Sequence, residues 1–249
     1  MKALLRFVAL LLVAGAALQI FFLVRIALSA TVDPQSTSFQ RSEAWRIATQ
    51  KGQLRWRQQW VPYENISDNL KRAVIASEDG TFTNHDGVDW EAIEKAWQRN
   101  TQAEERAARQ KPRDAARSQL APTARRPKIV GGSTITQQLA KNLLLSGERT
   151  LLRKGQEFVL AFALEQMLSK ERILEIYLNS VEWGEGVFGA EAAARHYYRK
   201  SASQLSAYEA ARLAVMLPRP KYFEKVPHSG YLTNRASTIA ARMRDADLP

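Results

Sequence analysis

The chain has 249 residues, enough for one globular core and too few for two large catalytic domains. Hydrophobic residues make up 45%, which excludes a largely disordered chain, and the absence of cysteine excludes disulfides and thiolate chemistry. The 36 basic residues against 25 acidic ones give a net charge of +11. A surplus of this size fits nucleic acid, anionic lipid headgroups or a phosphate-bearing substrate.

The start of the chain predicts a membrane anchor. Residues 7–28 are almost uninterruptedly apolar, with Gln19 inside them and Arg25 snorkelling at the edge, and are long enough to cross a bilayer core of roughly 30 Å. Lys2 and Arg6 precede this segment, so the positive-inside rule predicts a cytoplasmic stub of residues 1–6. A cleaved signal peptide is the competing interpretation. The length of the segment and the poor cleavage site after it favour an uncleaved anchor.

Residues 29–60 form a predicted juxtamembrane segment. A polar stretch is followed by interspersed tryptophans and arginines, namely Trp45, Arg46, Arg55, Trp56, Arg57 and Trp60. This mixture is typical of a membrane interface, although an ordinary domain edge fits it equally well.

The pattern over residues 61–227 predicts a helical globular domain. Candidate N-caps precede apolar residues at helical spacing, and sustained period-two alternation is missing. The caps are Ser67 or Asp68, Asp89, Ser133 or Thr134, and the capping box Ser206-x-x-Glu209. A long run before Glu175 predicts two helices that meet near Ser169. Residues 228–249 are predicted to be a C-terminal tail.

A basic stretch, residues 98–128, interrupts this domain. It carries nine basic residues against three acidic ones, more than half of the chain's surplus, and contains Pro112, Pro122 and Pro127. Its composition predicts a helix in the first half and a loop in the second.

Three segments carry candidate chemistry. Glu78 and Asp79 lie at the end of a predicted helix, where solvated carboxylates are also common. Residues 131–142 open a helix with small and hydroxyl residues, a start that suits an anion but also an ordinary capped helix. On a helix, Glu157 would face Arg153 and Lys154, either as a surface ion pair or as a basic clamp on a phosphate group.

Taken in order, these segments resemble the family-51 peptidoglycan glycosyltransferases of the monofunctional biosynthetic kind. The resemblance covers about residues 66–220. It rests on five blocks: Glu78-Asp79-x-x-Phe82-x-x-His85-x-Gly87, Gly132-Ser133-Thr134-Ile135-Thr136-Gln137-Gln138-x-x-Lys141-Asn142, Arg153-Lys154-x-x-Glu157, Lys170-x-x-Ile173-Leu174-Glu175-x-Tyr177-Leu178-Asn179, and 194–220. The main departure is the basic stretch, which is longer than the family usually has there. It is either a lid that binds headgroups or a tolerated insertion, and we favour the insertion.

The resemblance implies an all-α, lysozyme-like fold and assigns roles to residues. Glu78 matches the general base and Glu157 the second essential carboxylate. Other matching positions are implied to bind the substrate or to shape its pocket, namely Lys141, Arg153, Lys154, Ser133, Thr134, Gln137, Gln138, Asn142, Phe82 and His85. We also expect Asp79 to raise the pKa of Glu78.

The implied reaction polymerises lipid II into β-1,4 glycan with inversion and release of undecaprenyl pyrophosphate. No Ser-x-x-Lys or Lys-Thr-Gly motif occurs, which predicts a monofunctional enzyme. The implied place is the bacterial inner membrane, with the catalytic domain on the periplasmic face. No obligatory cofactor is expected, and no metal site formed by the protein is predicted. A magnesium or manganese ion that assists at the pyrophosphate is left open.

The expected partners are lipid II, the growing strand, membrane lipids and proteins of wall synthesis or division, not nucleic acid. The alternatives are a lysozyme-like lytic enzyme, which has no use for a pyrophosphate clamp, and a non-catalytic scaffold of the wall-synthesis machinery.

Overall fold

The chain begins with one long apolar helix, α1 (Lys2–Leu28). The structure is a computed structural model that describes residues 1–115, 132–145, 147 and 150–249. By length and composition α1 can cross a membrane. Phe22 and Ile26, towards its C-terminal end, are buried. Gln19 exchanges two amide hydrogen bonds with Gln156, at 2.8 and 3.1 Å. The second half of α1 therefore packs against the folded part of the chain.

The described residues divide into two compact units. Residues 89–133 form the smaller unit, which contains α4 (Trp90–Ala115). Asp89 begins this helix because its carboxylate accepts a hydrogen bond from the Ala92 amide at 2.7 Å, as the sequence predicts. The helix extends through the first half of the basic stretch. The predicted loop at 116–128 lies outside the described residues.

The larger unit, residues 1–88 and 134–249, is mainly helical. Besides α1, its helices are α2 (Ser38–Lys51), α3 (Asp68–Glu78), α5 (Ile135–Leu144), α6 (Leu151–Met167), α7 (Lys170–Ser180), α8 (Ala190–Tyr198), α9 (Ala207–Met216), α10 (Pro220–Phe223) and α11 (Gly230–Arg242). Hydroxyl side chains cap the starts of α3, α5 and α9 at Ser67, Thr134 and Ser206, as predicted. Ser169 caps α7 just after α6 ends, which confirms the predicted meeting of two helices there.

A small sheet is the β structure of this unit. Its strands are β1 (Arg57–Gln58), β2 (Glu182–Gly184) and β3 (Val187–Phe188), in the order β1-β3-β2. Strand β1 is parallel to β3, and β2 is antiparallel to it. Gly186 has a positive φ of 72°, and a Cβ there would approach the Arg55 carbonyl oxygen to 2.0 Å, so this turn requires glycine. The strands are short, and the predicted all-α class is confirmed.

The core of the larger unit brings the end of α3 next to the start of α5. Helix α3 packs against α9 and α11, while α5 packs against α6 and α7. The largest fully buried side chains include Trp183, Tyr177 and Phe82. These contacts bring the polar end of α3 close to the polar start of α5, and the candidate site lies there.

Two segments outside the predicted domain of residues 61–227 also contribute to the fold. Helix α2, in the predicted juxtamembrane segment, packs against α5 and buries Ile47. Helix α11, in the predicted tail, packs against α9 and α3 and buries Leu232, Ala236 and Ile239. Helix α2 is polar at most positions, so its few apolar residues give a weak signal in the sequence. In α11 the buried residues do recur at helical spacing.

Candidate active site

Glu78 is the last residue of α3, and neutral side chains hold its carboxylate. Gln138 donates a hydrogen bond to Oε2 at 3.0 Å, and the Ser77 hydroxyl donates to Oε1 at 3.4 Å. Burial raises the pKa of Glu78 above its usual value; these two hydrogen bonds and the charge of Lys141 oppose that effect. The charge of Asp79 also raises the pKa, as expected, but burial is the larger cause.

Gln138 is held in turn by Tyr177. The buried Tyr177 hydroxyl donates to Gln138 Oε1 at 3.0 Å. That contact fixes the amide so that its NH₂ group points at Glu78. Burial raises the pKa of the Tyr177 hydroxyl well above its usual value, so it remains a donor. Tyr177 was not among the predicted site residues, because its place among apolar residues of α7 is typical of a core position.

The loop after Glu78 is tied to the start of α5 through Asp79. One carboxylate oxygen accepts from the Ile135 amide at 2.9 Å, and the other lies 2.9 Å from His85 Nε2. His85 Nδ1 accepts from the Gly87 amide at 3.2 Å, so the imidazole proton belongs on Nε2. The Thr134 hydroxyl donates to the Gly87 carbonyl at 2.6 Å. Asp79 thus holds the loop that follows the candidate base against the start of α5.

Phe82 and His85 lie within this loop, where the sequence places them. Phe82 is fully buried, and the Lys170 ammonium lies 4.6 Å from the centre of its ring. Lys170 also donates to the His85 carbonyl and pairs with Glu165 at 2.8 Å. The loop is therefore packed on its apolar side and pinned by a cation on its polar side.

Glu157 lies in a very different environment on α6. Its buried carboxylate pairs with Arg153 and, at 2.9 Å, with Lys154, which are one turn earlier on the same helix. Lys154 also lies 3.5 Å from the side-chain oxygen of Gln137. The spacing read from the sequence therefore does produce a carboxylate between two cations.

A cavity of about 470 Å³ is lined by Gln138, the residue that holds Glu78, and by Arg153, a partner of Glu157. Gln138, Lys141 and Asn142 line it from α5, and Arg153 lines it from α6. Its apolar surface includes Phe39, Leu217 and Pro220. A basic wall beside the amide that holds Glu78 can accept a phosphorylated substrate and leave a carboxylate close to a reacting hydroxyl.

The remaining predicted residues have supporting positions. Thr134 and Gln137 are buried in the first turn of α5, where Thr134 is the N-cap. Ser133 is exposed and immediately precedes that cap. Within the described part of the chain, no three His, Asp or Glu side chains come together in a way that could hold a metal ion.

This mainly helical domain has one carboxylate held by neutral donors and a second between cations. Partners of both carboxylates line a basic cavity. Together these groups are the equipment of a group-transfer enzyme for an anionic substrate. The sequence profile described as Transglycosylase matches residues 46–109 and 111–244. The chain belongs to this transglycosylase family.

Relatives at about half identity have the same description. The chain is 52% identical over 217 residues to the biosynthetic peptidoglycan transglycosylase of Bordetella pertussis. The matched segment covers 87% of this chain and 82% of that protein. It is 51% identical over 233 residues to the proteins of that name from Burkholderia thailandensis and Burkholderia vietnamiensis. Both matches cover 94% of this chain. They cover 82% of the Burkholderia thailandensis protein and 86% of the Burkholderia vietnamiensis protein. The resemblance seen in the sequence is confirmed, and the chain is a peptidoglycan glycosyltransferase.

Proposed function

We propose that this enzyme polymerises lipid II into β-1,4 glycan, with Glu78 as the general base. The observation that supports this role is the environment of its carboxylate. Gln138 holds Glu78 from one side, burial raises its pKa, and a cavity with cationic walls begins at the same glutamine. A base of this kind takes the proton from the 4-hydroxyl of the acceptor sugar as that oxygen attacks the donor's anomeric carbon.

The cations act on the leaving group in this proposal. Lys141 and Arg153 line the cavity and bind the donor's pyrophosphate, so they stabilise the negative charge that develops as it departs. Glu157 orients Arg153 and Lys154 through its two ion pairs. Attack from the face opposite the pyrophosphate inverts the anomeric centre, which converts an α-linked donor into a β-linked strand.

A resident metal ion is not part of the proposal. The carboxylate of Glu78 is engaged with an amide and that of Glu157 with cations, and the described residues bring no three metal-binding side chains together. A magnesium or manganese ion that assists would therefore take most of its ligands from the pyrophosphate and water.

We further propose that α1 anchors the enzyme in the inner membrane, with residues 1–6 in the cytoplasm and the catalytic unit on the periplasmic face. The helix has the length and hydropathy for a span, and Lys2 and Arg6 lie at its start. An anchored enzyme meets a lipid-linked substrate in the plane of the membrane. Polymerisation alone is proposed, since these 249 residues contain no transpeptidase motif. Proteins of wall synthesis or division remain proposed partners.

Incubation of the detergent-solubilised full chain with labelled lipid II tests this function. We expect long glycan strands to form and undecaprenyl pyrophosphate to be released. A parallel incubation with finished peptidoglycan distinguishes the lytic alternative, which would release soluble muropeptides. The scaffold alternative predicts no turnover in either reaction. Either of those two outcomes contradicts the proposal.

A further inference from the structure

The cavity beside Glu78 has a second polar wall that the proposed mechanism does not use. Glu182 is the first residue of β2, its side chain is 5% exposed, and it lines the same cavity as Lys141 and Arg153. A carboxylate this deeply buried needs compensating partners, because burying a charge without them is costly.

The partner of Glu182 is shared with another carboxylate. Lys221 Nζ lies 3.3 Å from Glu182 Oε1 as an ion pair, but makes no hydrogen bond to that oxygen, which is buried and has no hydrogen-bond donor among the described residues. Lys221 also pairs with Glu43, which has a second partner in Arg46 at 2.8 Å. One ammonium group therefore serves two acids, and Glu182 is the less satisfied of them.

The two acids titrate differently for this reason. Burial raises the pKa of Glu182 to about 7, with Lys221 opposing the rise. Burial also acts on Glu43, but hydrogen bonds from Arg46 and Lys221 outweigh it and lower the pKa of Glu43. The other charged or titratable groups that face Glu182 are Arg46 on α2 and the Tyr197 hydroxyl on α8. Glu43 thus holds the shared cation, and Glu182 keeps an acceptor oxygen without a donor.

We propose that Glu182 is a saccharide-binding residue whose carboxylate accepts a hydrogen bond from an O–H or N–H group of the sugar in the cavity. The proposal rests on the function proposed above. The charge pattern supports it: Lys141 and Arg153 attract the pyrophosphate, whereas a carboxylate repels it. An anionic wall suits the uncharged part of the substrate, and an amino sugar is rich in hydroxyl and amide donors.

Steady-state polymerisation of labelled lipid II by Glu182→Gln, compared with wild type and Glu43→Gln, tests this assignment. Glu43 is the matched control because it shares Lys221 but does not line the cavity. We expect KM to rise about tenfold in Glu182→Gln at pH 8, since a hydrogen bond to a charged group is lost. The kcat of that variant and both constants of Glu43→Gln should stay within about twofold of wild type.

The pH dependence separates binding from a structural role. In wild type, KM should fall as the pH rises through about 7, because the ionised carboxylate is the better acceptor. In Glu182→Gln this change should disappear. Two outcomes would overturn the assignment of Glu182 but leave the proposed function standing, provided that the wild type is active. One is an equal rise in KM for Glu43→Gln. The other is a KM and a pH profile of Glu182→Gln that do not differ from those of wild type. A wild-type chain without turnover would overturn the proposed function and this inference with it.

Discussion

The two candidate catalytic carboxylates, Glu78 and Glu157, have opposite surroundings. Glu78 is held by an amide and a hydroxyl, and burial raises its pKa. Glu157 is buried between Arg153 and Lys154. A carboxylate among neutral donors can take up a proton during a reaction, whereas one that compensates two cations serves better as a fixed counter-charge. The difference in environment assigns them different tasks, although they are the same residue type.

Replacement of Glu78 by glutamine should have the largest effect on activity. The amide keeps the size of the side chain but cannot accept the acceptor's proton, so we expect kcat to fall by about 10²–10⁴-fold. The measurement is the initial rate of lipid II polymerisation. The matched control is Glu64→Gln, an exposed glutamate close to the start of α3, which should behave as wild type. A near-normal polymerisation rate for Glu78→Gln would show that Glu78 is not the base.

Replacement of Glu157 by glutamine should instead show its largest effect on stability. It leaves Arg153, whose side chain is 17% exposed, without its carboxylate partner, whereas Lys154 at 38% exposed can turn to water. Breaking a buried ion pair in this way lowers the free energy of unfolding by about 3 kcal/mol. The loss is smaller where solvent reaches the cation. Urea unfolding of the detergent-solubilised chain measures this loss.

Two observations would remove the contrast between the two acids. One is a Glu157→Gln variant as stable as wild type. The other is a Glu78→Gln variant that loses as much stability as Glu157→Gln does. The first would mean that the ion pairs on α6 add nothing to the fold. The second would mean that Glu78 is as firmly paired as Glu157.

How much of this site the sequence predicts depends on how local each contact is. The pairing of Glu157 with Arg153 and Lys154 follows from helix geometry alone and was predicted from spacing. The caps at Ser67, Thr134 and Ser206 are equally local. The all-α class and the family came from blocks of residues in the right order, which needed no knowledge of packing.

The long-range contacts that tune Glu78 could not be predicted, because they join distant parts of the chain. Its hydrogen bond to Gln138 spans 60 positions, and the one from Tyr177 to Gln138 spans 39. The approach of Glu182 to the cavity likewise depends on how β2 and α10 pack. Helix α2 escaped prediction for a related reason, since tertiary contacts rather than a strong apolar stripe hold it.

Replacement of Tyr177 by phenylalanine should weaken the Glu78 site moderately. The change removes one hydroxyl and leaves Gln138 Oε1 without its donor, so the amide can rotate and lose its hold on Glu78. We expect kcat to fall about tenfold, with a loss of about 1 kcal/mol in unfolding free energy. The control is Tyr208→Phe, whose tyrosine is 41% exposed. A rate equal to that of the control would show that Gln138 holds Glu78 without help.

The smallest effect concerns stability against pH and follows from the raised pKa of Glu78. Below a pH of about 4.5, Glu78 is protonated in both the folded and the unfolded chain. Above that value the unfolded chain releases the proton, while the folded chain keeps it until its own raised pKa is passed. Ionisation of Glu78 therefore lowers the free energy of unfolding as the pH rises through this window.

Glutamine has no such proton, so Glu78→Gln should have a higher Tm than wild type at neutral pH. This advantage should shrink to nothing as the pH falls below about 4.5. Thermal unfolding of both proteins across that range measures it. A variant less stable than wild type at neutral pH would mean that the Glu78 carboxylate stabilises the fold, as a paired acid does. The expected sign instead makes Glu78 a residue whose charge costs stability, which is characteristic of a side chain kept for its chemistry.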